Sequence, residues 1–149
     1  MNLDKLKCYN SGVKVLSEIR WIPILLTRLT LAGVFIESGW GKLHNLEKVV
    51  GFFTDLGIPA PVFQAHLVAY TEFTCGTALL FGFLTRLASV PLSITMIVAL
   101  LTAKKSEITA FTDIFGLSEF LYLLLLVWLI CEGAGPISID RIIVKKYKF

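Results

Sequence analysis

The chain has 149 residues, a net charge of +3 and 56% hydrophobic residues, with only 17% charged. That composition supplies too little polar material for the skin of a soluble domain, and it lacks the aromatic-interleaved basic patch of a nucleic-acid binder. Its three cysteines, Cys8, Cys75 and Cys131, form no CxxC pair, and their odd number argues against a disulfide framework.

What remains is an all-α membrane protein: a single domain over residues 1–149, with room for four spans of about 20 residues each. Residues 1–20 mix Lys5, Lys7, Lys14 and Arg20 with scattered apolar residues. They read as a cytoplasmic tail, either disordered or forming a short helix at the interface. No small-residue cleavage site follows the apolar segment that begins at Trp21, so no signal peptide is expected. The first span is predicted over 21–40, with Trp21 and Trp40 suiting an aromatic belt at either interface, and it carries Arg28 and Glu37. A long loop follows. In it Leu46, Val49, Val50, Phe53 and Leu56 recur at helical spacing, then Gly57, Pro59 and Pro61 stop the pattern. The spacing predicts a short amphipathic helix, lying on the membrane or folded back over the bundle.

The second span is predicted over 62–81, with His66 and Glu72, and the third over 86–103, with Pro91 its one irregularity. Phe83–Thr85 between them predicts an antiparallel hairpin. A polar loop, 104–113, leads to the fourth span over 114–130, with Glu119 about a turn inside it, and residues 131–149 form a cytoplasmic C-terminal segment. Gly33, Gly76 and Gly82 read as close helix-packing positions. Cys75 and Cys131 read as small buried hydrophobes rather than a bridged pair.

The positive-inside rule sets the orientation. The tail, the hairpin turn and the C-terminal segment share one side and hold nine basic residues, including Arg86, Arg141, Lys145, Lys146 and Lys148. The other side holds four: Lys42, Lys48, Lys104 and Lys105. Both termini are therefore expected in the cytoplasm.

A charge at mid-bilayer costs on the order of 3 kcal/mol, so those within spans should face the interior and find partners. Depth sorts them into an inner cluster, with Glu72 between Arg28 and Arg86, and an outer cluster of Glu37, Lys42, His66 and Glu119. Arg28 and Glu37 stand nine residues apart on one helix, on opposite faces at roughly 100° per residue, so they cannot pair with each other. Each cluster has a plain structural reading, fixing helix register, beside any functional one. Metal-ligand spacing, a P-loop, GxGxxG and a nucleophile elbow are all missing from the sequence, which argues against a self-contained nucleotide-driven or hydrolytic enzyme.

The order of several short motifs resembles the DoxX family of small four-helix membrane proteins. Arg28 is followed by Gly39-Trp40-Gly41-Lys42-Leu43, then Gly57-Ile58-Pro59-Ala60-Pro61, and then Glu72 with Gly76. The hairpin turn Gly82-Phe83-Leu84-Thr85-Arg86-Leu87-Ala88 precedes Met96 and Ala99, and Gly133-Ala134-Gly135-Pro136 with Ser138 and Asp140 follows the fourth span. The match runs over residues 24–141. It implies a four-helix bundle in a prokaryotic cytoplasmic (inner) membrane, similar to the small subunit of a thiosulfate:quinone oxidoreductase. More distant relatives carry redox cysteine pairs that this chain lacks, which counts against autonomous thiol–disulfide chemistry.

Two functions follow as expectations. In the first, the chain is a quinone-linked subunit of an oxidoreductase, and its electrons come from a soluble or membrane redox partner because no haem or iron–sulfur ligand set is present. Glu37, His66 and Glu119 are then the candidates for proton exchange. Lys42, Glu72, Arg28 and Arg86 are the candidates for surrounding the cofactor, with Glu72, Arg28 and Arg86 also holding the bundle. In the second, it is a non-enzymatic membrane anchor or assembly factor, or a small-molecule permeation module that would need to form a homo-oligomer. The lipid bilayer is a partner in both and nucleic acid in neither.

Overall fold

The computed structural model describes residues 17–147, apart from the side chains of Ser106 and Tyr147, and these residues are all-helical, without strands. The expected tail helix, with Lys5, Lys7, Lys14 and Cys8, and Lys148 at the other end lie outside the described residues. Six α-helices run in order: α1 (Trp21–His44), α2 (Leu46–Asp55), α3 (Pro61–Phe81), α4 (Thr85–Leu101), α5 (Ser118–Glu132) and α6 (Ile139–Tyr147). Two 3₁₀ turns, Lys105–Glu107 and Phe111–Gly116, lie between α4 and α5.

The chain stops its helices by the same device twice. After α2, Gly57 takes φ +69°, its N–H donates to the Thr54 carbonyl at 2.9 Å, and the Ile58 N–H donates to Phe53 at 3.0 Å. After α3, Gly82 takes φ +65°, its N–H donates to Leu79 at 3.1 Å, and the Phe83 N–H donates to Ala78 at 2.9 Å. Both are Schellman motifs, in which a left-handed residue lets the next amides satisfy the last carbonyls of the helix. Pro61 opens α3 at a position where its missing N–H costs nothing.

Helices α1 and α3 pack along much of their length, α4 packs on α5, and α2 folds back onto α3. The α1–α3 approach is set by glycine. A Cβ on Gly39 would lie 2.5 Å from the Phe73 backbone nitrogen, and one on Gly76 would lie 3.0 Å from that of Ile36. Backbones that close leave no room for a side chain between them. Gly33, by contrast, has nothing within 4 Å of a built Cβ, so the expectation that it packs a helix is corrected. It sits on the outer face of α1. The core between the four long helices is built from Leu31, Phe35, Leu79, Leu92, Leu126 and Leu129, all essentially fully buried.

The fourth predicted helix starts later than the sequence pattern suggests. Asp113 accepts hydrogen bonds from the Thr109 and Ala110 N–H groups, at 2.9 and 2.7 Å, and from the Thr109 hydroxyl at 2.8 Å. This local clasp winds Phe111–Gly116 into a 3₁₀ turn and delays α5 to Ser118. Cys131, expected to be buried, is exposed in the last turn of α5, and Cys75 is half-buried. Among the described residues one helix, α1, is long and apolar enough to cross a membrane by length and composition, and α4 is a shorter apolar helix.

The bundle therefore has two distinct ends. At the clasp end, the α3–α4 turn meets the chain after α5. At the lid end, α2 covers the gap between α1, α3 and α4.

Candidate functional site

The lid end encloses a cavity of about 720 Å³. Its walls come from every long helix: Phe35 and Ser38 of α1, Val68 and Glu72 of α3, Pro91 and Met96 of α4, and Tyr122 of α5. Helix α2 closes it with Phe52 and Phe53, and the chain leaving α2 adds Ile58 and Pro59. The Schellman turn at Gly57 is what brings Phe53 and Ile58 to one side of the chain, facing the gap. Phe52 stays half exposed, so the lid is seated by part of its apolar face only.

Against these apolar walls stand a few polar groups, foremost an ion pair. Lys42, in the last turn of α1, points back along the helix and forms an ion pair with Glu72 of α3. It also donates to the Ser38 hydroxyl at 2.5 Å. The Glu72 side chain is only 4% exposed and that of Lys42 25%. The long lysine stem follows apolar surface and delivers its charge about a turn deeper than its Cα. Glu119 lines the cavity from the first turn of α5, where a carboxylate suits the helix dipole. Its Oε1 lies 4.0 Å from Lys104 Nζ, and Lys104 also donates to Glu107 at 2.8 Å. Those carboxylates, Glu107 first through its hydrogen bond, raise the pKa of Lys104.

The expected inner cluster does not form. Glu72 meets neither arginine and joins Lys42 instead. Arg28 is 3% exposed, as its place on the inner face of α1 requires, but its Nη1 donates to the backbone carbonyls of Ala134 and Ile137, at 2.6 and 2.8 Å. Arg86 donates to the Cys131 carbonyl at 3.0 Å. The turn after α5, opened by Gly133 at φ +82°, exposes main-chain oxygens that serve the arginines in place of a carboxylate.

These two arginines belong to the clasp end. There Asp140 of α6 accepts hydrogen bonds from the Leu84 and Thr85 N–H groups at 2.7 and 3.1 Å, capping α4 from 55 residues away. Leu84 sits at φ +48°, a left-handed conformation costly for a leucine, and the Asp140 carboxylate holds it there. A Cβ on Gly82 would lie 2.6 Å from Arg28 Nη1 and 2.7 Å from the Ser138 Cβ. Gly82, Arg28, Ser138 and Asp140 are thus one interlocked unit.

The outer cluster forms in part. Lys42 and Glu119 both line the cavity, and Glu72 joins them. Glu37 is exposed on the far face of α1 from Arg28, as its spacing demands. His66 turns its ring to its own helix, with Nδ1 2.8 Å from the Val62 carbonyl, and neither residue lines the cavity. Ser38, Gln64, Thr71 and Tyr122, which do line it, were not singled out in the sequence. Of these, Ser38 could have been found, since it stands four residues before Lys42 on the same face. Among the described residues no three His, Cys, Asp or Glu side chains gather as a metal site would require.

The DoxX family model matches residues 24–105. An uncharacterized membrane protein of Mycobacterium tuberculosis is 33% identical over 134 residues, covering 83% of this chain and 82% of its own length. CatD of Bacillus subtilis, whose name carries a provisional oxidoreductase assignment, is 31% identical over 85% of this chain and 91% of its own. The inner membrane protein YqjF of Escherichia coli is 30% identical over 89% of this chain and all of its own. No solved structure matches the chain.

Proposed function

This chain belongs to the DoxX family of membrane proteins, and from that premise we propose that it is the quinone-binding membrane subunit of an oxidoreductase. The observation that carries this reading is the lid-end cavity, an apolar chamber with one charged pair and a second carboxylate on its walls. Its volume of about 720 Å³ lies within the roughly 300–1,000 Å³ range of sites for small organic ligands. A ligand that suits it has a large apolar body and a small polar head that accepts hydrogen bonds. A quinone has that form, with two carbonyl oxygens on an apolar ring. The oxidoreductase in the name of the Bacillus subtilis relative fits a redox role.

Bound there, a quinone would supply two-electron, two-proton redox chemistry. The electrons come from a redox partner protein. The residues of this chain bind and protonate. The Lys42 ammonium, held by Glu72 and Ser38, would hold the polar head of that group by donating a hydrogen bond to it. Glu72 and Glu119 take up and hand on protons at the two sides of the chamber, and the Tyr122 hydroxyl is a further donor. The lid helix α2, with Phe52 and Phe53, keeps water from the head group.

The same reading places α1, α3, α4 and α5 across a prokaryotic cytoplasmic membrane, with the clasp end and both termini in the cytoplasm. The side chains these helices turn outward support it: Leu26, Phe63, Leu87 and Leu101 are each more than half exposed, a band that suits lipid better than water. Helices of 15 and 17 residues, α5 and α4, rise about 22 and 25 Å and are completed as spans by their flanking turns.

The test is to purify the full chain in mild detergent, extract the organic phase and measure quinones by mass spectrometry. Stoichiometric quinone is expected from the unmodified protein, falling at least tenfold in Lys42→Met measured at a temperature where that variant is still fully folded. Bulk lipid alone from a stably folded bundle, or quinone retained in full by both Lys42→Met and Glu72→Gln, would remove the proposal.

A further inference from the structure

The clasp end carries a second concavity that the quinone reading does not use. A groove of about 530 Å³ opens between the start of α4, the end of α5 and α6. Four charged residues line it: Arg86, Arg141, Glu132 and Asp140. Both acids are already engaged. Glu132 pairs with Arg20 at 2.5 Å, and Asp140 caps α4. The bases are not matched. Arg86 gives one guanidinium nitrogen to the Cys131 carbonyl, and among the described residues no carboxylate pairs with Arg86, Arg141, Lys145 or Lys146. Two cations, Arg86 and Arg141, therefore line the groove without a carboxylate partner among the described residues, and Lys145 and Lys146 follow on the same helix as Arg141.

Apolar surface runs directly from it. Leu87 lines the groove and is 66% exposed, and Val90 and Ile94 continue the strip along the outer face of α4. These positions share a helix face at spacings of three and four. Ile97, 43% exposed, ends the strip, which from Leu87 rises about 15 Å, one leaflet of a hydrocarbon core roughly 30 Å thick. On α6, Ile142 is equally exposed and stands beside Lys145 and Lys146, the pattern of a helix lying in the headgroup layer. The order is cationic pocket first and hydrocarbon track second. An amphiphile with an anionic head and a long apolar chain has the same order.

We propose that this groove binds one phospholipid with an anionic headgroup. Its phosphate sits between Arg86 and Arg141, an acyl chain follows Leu87, Val90 and Ile94, and α6 rests on the surrounding headgroups. Arginine suits the phosphate because its planar fork can engage two oxygens at once. The bound lipid also bridges α4 to α6, across the joint that Asp140 makes through the backbone. Its cationic pocket shares no lining residue with the lid-end cavity, which the hydrocarbon track meets only at Ile94, and it holds whether or not a quinone binds there.

Native mass spectrometry of the full chain in mild detergent, with phosphatidylglycerol and phosphatidylcholine added in equal amounts, tests it. The unmodified protein should retain one phosphatidylglycerol, preferred at least tenfold. A basic residue near an anionic lipid contributes about 1 kcal/mol, so Arg141→Gln should cut the preference about fivefold. Arg141→Lys should keep most of it, and Lys105→Gln at the lid end should leave it unchanged. Because Arg86→Gln also frees the Cys131 carbonyl, Arg141 carries the decision. Equal retention of the two lipids, or a preference untouched by Arg141→Gln, overturns the proposal. So does unchanged lipid retention in a variant that has lost binding to an acidic soluble protein, which would make the groove a protein-docking surface.

Discussion

At the scale of single residues, helical geometry fixed which way a side chain points, but not what it meets there. Nine residues of separation put Arg28 inside and Glu37 outside, and they are found 3% exposed and exposed respectively. The partners were another matter. A count of charges sees carboxylates as the only matches for an arginine, whereas Arg28 Nη1 donates to the Ala134 and Ile137 carbonyls, and main-chain oxygens leave no mark in a sequence. Glu72 was then free for Lys42, whose stem length lets it reach a level its Cα does not occupy. A coupling follows. Glu72→Ala and Lys42→Met are each expected to cost about 1–3 kcal/mol by orphaning the other group, and the double variant to cost clearly less than their sum. Thermal unfolding in detergent reads this, and additive single effects would show that the pair is not coupled. Glycines give a sharper contrast. Gly39→Ala pushes a methyl into the Phe73 backbone and should cost about 1–3 kcal/mol. Gly33→Ala meets nothing and should leave the melting temperature unchanged or slightly raised through helix propensity. Equal effects from the two would mean that α1 and α3 do not approach at Gly39.

At the scale of elements, the long apolar runs and the glycine stops were readable because they are local. The lid helix is the best case: apolar spacing from Leu46 to Leu56 and the stop at Gly57 predicted an element that the structure places at Leu46–Asp55. The start of α5 was misread because one side chain, Asp113, overrides an apolar pattern that otherwise continues a helix back to Ile114. Helix α6 was missed as an element because its N-terminus is built from distant parts of the chain, its Asp140 serving Leu84 and Thr85. The Asp113 clasp has a pH signature. Hydrogen bonds from the Ala110 and Thr109 amides and the Thr109 hydroxyl hold its carboxyl below the usual range. A carboxylate with a lowered folded-state pKa stabilises fully above its unfolded value, about 3.9, and loses that contribution only as pH falls through the lower folded value. The difference in melting temperature between the unmodified protein and Asp113→Asn should therefore be flat from about pH 8 to pH 5 and shrink only below about pH 4. A difference that disappears nearer neutrality would show that Asp113 does not titrate below the usual range.

At the scale of the whole molecule, the two ends of the bundle divide the work. The motif residues at the clasp end, Arg28, Gly82, Ser138 and Asp140, pack against one another and bond to main-chain groups of the two turns that meet there. Those at the lid end, Lys42, Gly57 and Glu72, surround open space. A chain that needed only to hold a bundle together would have no reason to line a chamber with an ion pair at a desolvation cost, and the lid-end geometry is therefore where the functional reading rests. The proposed membrane placement would put the two ends at opposite faces, which gives the broadest prediction. In a background with Cys8, Cys75 and Cys131 changed to serine, Lys48→Cys lies on the lid helix and Lys146→Cys on α6, separated by every long helix of the bundle. Four crossings with both termini in the cytoplasm require a membrane-impermeant maleimide to label Lys48→Cys in intact cells and Lys146→Cys only after permeabilisation. The reverse pattern keeps the four spans and inverts the positive-inside assignment, moving the chamber to the cytoplasmic face. Labelling of both from outside places lid and clasp on one side, and then α4 and α5, the two shortest of the long helices, are the ones that fail to cross.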